Sequence, residues 1–262
     1  LDKDLIKHNL FSMIEKYIKL YNIKQENIFL CFDDNSSSSW RDVDDENSNY
    51  KNGRNKDLSK FVAYWLKYME DSIKHTNYNQ LKIKYLEADD IIRLLCKKFN
   101  NPEEKNVVVS SDADFIQLMK LDNTFIYHPF QKKEIKVSKE EAQTLFLTKV
   151  ITGDISDNIP SILPNNLIVD IPVRKRTENG MVETLDKIDI SNIQFGDKTV
   201  SGLLKEHNNN WEETLKRGRE KMFKKQSKKE EYVKYSLKDL EGMLKQRFFE
   251  NKRMVDFDEI PE

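Results

Sequence analysis

Apolar residues recur at helical spacing at Ile6, Leu10, Phe11, Ile14, Tyr17, Ile18 and Tyr21, which predicts an amphipathic helix over residues 5–21. Residues 27–32 (NIFLCF) form a short apolar run rich in β-formers and predict a buried strand that ends at Asp33-Asp34. Residues 35–56 are polar without periodicity and read as a long loop. Helical spacing returns at Leu58, Phe61, Val62, Trp65 and Met69, and again over 87–99 and 139–152. Strands are expected at 82–85, 107–109, 125–127 and 135–137, the clearest being Val107-Val108-Val109. Strands alternating with helices predict an α/β fold with a mostly parallel central sheet flanked by helices.

Residues 161–192 lack a clear pattern and are expected to be an insertion or flexible loop. Residues 197–250 read as helical and rich in Lys and Arg. The expected organisation is an α/β domain over 1–160, the insertion over 161–192, and a C-terminal helical region rich in Lys and Arg over 193–262. No apolar run approaches the ~18 residues of a membrane-spanning helix, and Leu1–Leu10 carry no signal-peptide pattern. Cys31 and Cys96 both lie in apolar runs and read as buried thiols of a reducing compartment. Cytoplasmic localisation and a monomer are expected, with no membrane partner. The chain starts without Met and already in helical pattern, so a trimmed N-terminus is expected.

The net charge of −1 argues weakly against nucleic acid, but its distribution does not. Nine acids fall in four clusters: Asp33-Asp34; Glu87, Asp89 and Asp90; Asp112 and Asp114; Asp154 and Asp157. Setting them aside leaves 44 basic residues against 36 acidic ones, a basic body around an acidic focus. The first three clusters sit where strands end or helices begin. In a parallel sheet the C-terminal strand ends share one edge, so acids distant in sequence can converge there. Two carboxylates about 4 Å apart repel by ~4 kcal/mol at an effective dielectric of 20. Convergence therefore requires protonation or hard divalent cations. All-oxygen ligands favour Mg²⁺, with Mn²⁺ as substitute, over Zn²⁺. Each cluster also has a plainer reading: polar loop for Asp34, helix-terminal acid for Glu87, capped turn for residues 153–158.

The segments FDD (32–34), WR…YKNGR (40–54), LEADD (86–90), SSDADF (110–115), TGDISDN (152–158) and MVDFDEIP (254–261) resemble the 5′-nuclease superfamily. That superfamily holds the flap endonucleases and phage 5′→3′ exonucleases, and the likeness is greatest to the T-even-phage type of ribonuclease H. The resemblance implies Mg²⁺-dependent cleavage of phosphodiesters from 5′ ends, flaps and RNA primers in DNA replication. It implies that Asp33, Glu87, Asp89 and Asp112 serve a first metal and Asp114, Asp154 and Asp157 a second, with Asp90 reaching either. Residues 35–56 correspond to the family's arch over the single strand. There Lys51 and Arg54 resemble its phosphate-gripping, catalytic cations, and Arg41 and Tyr50 are further nucleic-acid contacts. The family's first acid precedes the point where this chain begins. Residues 161–192 interrupt its helix–turn–helix, of which Phe195–Val200 with Lys198 resembles a displaced remnant.

Residues 216–238 hold ten basic residues against three acids. This stretch, with Lys216, Arg217, Arg219, Lys224 and Lys225, reads as a duplex-backbone patch or, alternatively, a solvated helix. The expected activity is two-metal hydrolysis of DNA and of RNA in RNA–DNA hybrids. Expected partners are flap, nicked or single-stranded-end DNA, RNA–DNA hybrid, and replication proteins such as a single-strand-binding protein or sliding clamp. Alternative readings are a structure-specific DNA binder that does not cleave, and a phosphoesterase acting on a small ester.

Overall fold

The structure, a computed structural model, describes residues 2–34, 39–43, 56–162, 168–178, 180–189, 196–226 and 231–260. It divides into two compact units, residues 1–98 and 99–262. Among the described residues no helix is long and apolar enough to cross a membrane.

The first unit carries α1 (Lys3–Tyr21), β1 (Phe29–Cys31), α2 (Trp40–Val43), α3 (Lys56–Ile73), β2 (Asn79–Leu81) and α4 (Ala88–Lys98). Asp2 caps α1 by accepting from the Asp4 N–H, and Asn22 ends the helix in the left-handed conformation. β1 and β2 pair in parallel, with Leu30 opposite Gln80. The strand expected at 82–85 lies three residues earlier. Residues after Leu81 turn away, and Tyr85 adopts a positive φ of 69° that no regular strand accommodates. Among the described residues, Ile14, Trp40, Ile73, Ile91 and Cys96 are the buried apolar side chains of this unit.

The second unit begins with β3 (Asn106–Val109), β4 (Thr124–His128), β5 (Lys133–Glu134) and α5 (Lys139–Thr152). β3 and β4 are parallel and β5 closes onto β4 antiparallel. The strand expected at 135–137 lies two residues earlier, at 133–134, and the Ile135 N–H still donates to Ile126 O at 2.8 Å. A 3₁₀ helix, Ala113–Lys120, follows β3. α5 starts at a capping box, Ser138 with Glu141. It is buried on nearly every side, through Ala142, Phe146, Leu147, Val150 and Ile151. Thr144 and Thr148 satisfy their buried hydroxyls on carbonyls four residues back, at 2.8 and 2.7 Å.

Residues 161–192 differ from expectation. β6 (Ile168–Thr177) and β7 (Gly180–Asp189) pair antiparallel over all ten residues. Pro172 inside β6 masks the strand in the sequence, while the Asn-Gly at 179–180 is a hairpin-turn signal. α6 (Asp197–Glu206), α7 (Trp211–Gln226) and α8 (Glu231–Val255) complete the unit. Trp211 stacks on Phe248 with ring centroids 3.9 Å apart, joining α7 to α8.

Candidate metal centre

In the first unit the acids are held by hydrogen bonds at the ends of β1 and β2. The Phe32 N–H donates to Leu81 O at 2.9 Å, carrying the chain past the strand end to Asp33. Asp33 Oδ1 accepts from the Ala88 N–H at 2.8 Å, at the first turn of α4. Asp34 Oδ2 accepts from the Tyr85 N–H at 3.2 Å. Asp90 is fully buried. Its Oδ2 accepts from Trp40 Nε1 at 3.0 Å, the Glu87 N–H at 3.0 Å and one Arg41 nitrogen at 3.1 Å. Its Oδ1 accepts from the other Arg41 nitrogen at 2.8 Å. The same guanidinium reaches Glu87 Oε2 at 3.1 Å.

Two expectations change here. Arg41, expected at a phosphate, is only 3% exposed and is bound as a fork by Asp90. Asp90, expected to reach a metal, has both oxygens occupied by donors inside the fold. Glu87 and Asp89 stay partly exposed and Asp33 is exposed.

In the second unit Ser110 N–H donates to Tyr127 O, extending the β3–β4 register to the acidic loop. Asp112 caps the 3₁₀ helix by accepting from the Asp114 N–H at 2.9 Å. Gly153 ends α5 at φ +81°, and a Cβ there would stand 2.5 Å from Ile159 O, so only glycine fits. The turn that follows is closed by paired Asp154 and Ile159 bonds, both 2.8 Å. Asn158 supplies a second positive φ, 59°. Asn251 of α8 clamps this turn to α5 by donating to Val150 O at 2.9 Å and Pro160 O at 2.7 Å. Gln117 does the same for the 3₁₀ helix, bonding Val255 O and the Phe257 N–H, each at 3.2 Å.

These restraints bring Asp114, Asp154 and Asp157 together, each offering an oxygen within 4.8 Å of the others. Lys149, which the sequence reading did not single out, lies among them. Its ammonium contacts Asp114 and, at 2.6 Å, Asp154. Burial raises the Asp114 carboxyl above its ordinary range despite Lys149. Burial acts the same way on Asp154, but Lys149 and Ser156 outweigh it and hold that carboxyl down to about 2. Lys149 itself is lowered by burial and raised further by its two carboxylates, so it stays charged. Three carboxylates and one ammonium sum to a formal −2, which one divalent cation would neutralise. Oxygens on one Mg²⁺ at about 2.1 Å lie at most about 4.2 Å apart, so this donor set fits that ion after side-chain-scale adjustment. A cleft of about 710 Å³ opens beside the cluster, bordered by Phe146, Ile155, Asp197, Lys198 and Ser201.

Residues 5–147, more than half of the chain, match the family of 5′-3′ exonucleases in its N-terminal resolvase-like domain. The chain belongs to the 5′→3′ exonuclease family. It is 32% identical to the ribonuclease H of Enterobacteria phage T4 over 166 residues, 60% of this chain and 54% of that protein. It is 29% identical to the flap endonuclease Xni of Shewanella woodyi over 135 residues, 49% of this chain and 52% of that one. The chain thus spans about half the length of these curated relatives. In fold it is similar to a T5 protein co-crystallised with metal ions, at TM-score 0.63 and 16% identity over 97% of this chain and 84% of that one.

Of the other residues the family resemblance singled out, Tyr50, Lys51 and Arg54 lie outside the described residues. Lys198 is exposed in the first turn of α6, beside the cleft. Lys216 and Arg217 are exposed on α7, both paired with Glu213. Arg219, Lys224 and Lys225 fall on the same helix. The expected single basic stretch over 216–238 covers the end of α7 and the start of α8, with residues 227–230 outside the described residues.

The sequence reading missed Lys149, Asn251 and Gln117. The signal available for each was a lone polar residue on an otherwise apolar helical face.

Proposed function

We propose that this 5′→3′ exonuclease family member is a Mg²⁺-dependent phosphodiester hydrolase. Its substrates would be 5′-flap, nicked or single-stranded-end DNA and the RNA strand of RNA–DNA hybrids, which places it in primer and flap removal. The convergence of Asp114, Asp154 and Asp157 around Lys149 carries this reading. The names of the T4 and Shewanella relatives point the same way. So does the structure of the T5 flap endonuclease with DNA and metal ions, TM-score 0.60 at 16% identity over 96% of this chain and 80% of that one.

Two divalent cations, when bound, would lower the pKa of a water and stabilise the leaving 3′ oxygen. Asp114, Asp154 and Asp157 would hold one of them, and Asp33, Glu87 and Asp89 would serve the other. Lys149 favours the charged forms of Asp114 and Asp154 and draws both carboxylates towards one point. Lys51 and Arg54 neutralise the scissile phosphate as charge builds. Lys198, Lys216 and Arg217 track the duplex backbone.

A 5′-labelled flap duplex and an RNA–DNA hybrid, each with and without chelator, test this directly. Short products that vanish with chelator are expected. Tight binding without product would replace hydrolysis with structure-specific binding, and neither binding nor product would remove nucleic acid as the substrate.

A further inference from the structure

The β4–β5 hairpin has no role in the site described so far. Its register places His128 opposite Lys133, leaving residues 129–132 as the tip. The tip is shaped from within. The Gln131 N–H donates to His128 Nδ1 at 3.3 Å, and the His128 ring meets the Phe130 ring edge-on at 6.2 Å. Lys132 holds a positive φ of 52°. The outcome is a Phe130 that is 82% exposed. Lys132, Lys133 and Lys136 around it are also exposed, and none makes an ion pair among the described residues. An exposed aromatic ring flanked by unneutralised cations is the composition that stacks on bases while gripping phosphate.

The location adds a second constraint. β3 and β4 run parallel, so the segment after β3, bearing Asp112 and Asp114, and the tip after β4 leave from the same sheet edge. The bond from Ser110 N–H to Tyr127 O ties the two exits together. The acidic segment and the hairpin tip thus share one exit side of this sheet.

We infer that the β4–β5 hairpin tip is a substrate contact, in which Phe130 stacks on an unpaired or terminal base and Lys132 and Lys133 hold the flanking phosphates. Stacking needs an unstacked face, so the contact reads strand ends and single strands rather than continuous duplex. The inference rests on the nucleic-acid reading above.

Its test measures affinity in chelator, apart from cleavage, for a 5′-flap duplex carrying 2-aminopurine at successive flap and terminal positions. Phe130→Ala should weaken binding about ten-fold and abolish fluorescence quenching at one position. Phe130→Trp should bind within about two-fold of the parent and keep the quench, as a stacking role demands. The double change Lys132→Gln and Lys133→Gln should flatten the slope of log K against log salt by about 1.4. Phe130→Ala binding within two-fold of a parent that binds and cleaves would overturn the hairpin contact alone. A parent that neither binds nor cleaves would overturn the functional reading and the hairpin contact with it.

Discussion

The two acidic regions are built on opposite principles. In residues 1–98 Asp90 is fully buried and answered by an arginine fork, an indole N–H and a backbone N–H. Arg41 offers a planar, fixed pattern of donors, and Asp90 accepts from it at both oxygens. In residues 99–262 Asp114, Asp154 and Asp157 remain partly exposed, and the cation beside them is a lysine. An ammonium is a compact point charge on a long stem, able to move when a stronger cation arrives. A carboxylate saturated by rigid donors supports the fold; carboxylates converged around a displaceable charge keep capacity for a ligand. Asp90 and Asp114 are thus answered by different kinds of partner, a rigid guanidinium fork for the first and a single ammonium for the second.

The largest effect that would break this contrast is at Arg41. Arg41→Ala leaves the buried Asp90 charge without its fork and should cost about 3–5 kcal/mol of stability, read from the denaturant midpoint. An unchanged midpoint would show that the network is not structural. Asp114→Asn should do the reverse. Burial already disfavours its charged form, so stability should hold or rise, while cleavage should fall at least about a hundred-fold with nucleic-acid affinity retained. Activity within a few-fold of the parent would place the metal site elsewhere.

How much of this the sequence displays depends on the range of the interaction. α5 announces itself at Ser138 and Glu141, and β3 through three consecutive valines, because caps and buried strands are local devices. The acids were legible as four clusters, since charge repulsion makes such grouping conspicuous. Arg41 was legible as a cation but not as a partner: its acids lie 46 and 49 residues away. Lys149 stands in the run TLFLTKVIT, where one cation among apolar residues gives no hint that Asp114, 35 residues before it, answers it together with the nearby Asp154. The β6–β7 hairpin was hidden by Pro172 and by the mixed charges of residues 168–189, although its Asn-Gly turn was in view.

The contrast sharpens with added metal. Mg²⁺ or Mn²⁺ at a hundred times its dissociation constant should stabilise the protein by about 2.7 kcal/mol, seen as a rise in melting temperature that chelator reverses. Asp154→Asn should lose that increment, whereas Phe130→Ala should keep it. A rise that survives Asp154→Asn would mean that the cation binds away from the three aspartates. Gly153→Ala acts one step further back, on the turn that aims Asp154. Its Cβ would crowd Ile159 O and the Pro160 carbonyl, at a φ glycine alone tolerates, for about 1–3 kcal/mol and a matching loss of metal affinity. Loss of stability with metal affinity intact would show that the turn's shape is not what gathers the oxygens.

The smallest effect reports on the rigid side of the comparison. Cys31 closes β1, and burial pushes its thiol up to about 12, with Cys96 and Asp89 adding repulsion to the thiolate. The unfolded thiol ionises near 8.5, so the native protein favours the protonated form. That contribution to stability is complete below the unfolded value and is lost as pH climbs from there towards about 12. At pH 8 native Cys31 should react with a thiol reagent far more slowly than in denaturant, at a rate set by opening of the fold. Arg41→Ala should then speed labelling in step with its loss of stability, because β1 and α4 share the packing that the Arg41 fork supports. Asp114→Asn should leave the labelling rate unchanged. Equal acceleration by both substitutions would mean that the two acidic regions share one scaffold, and the division of labour between them would fail.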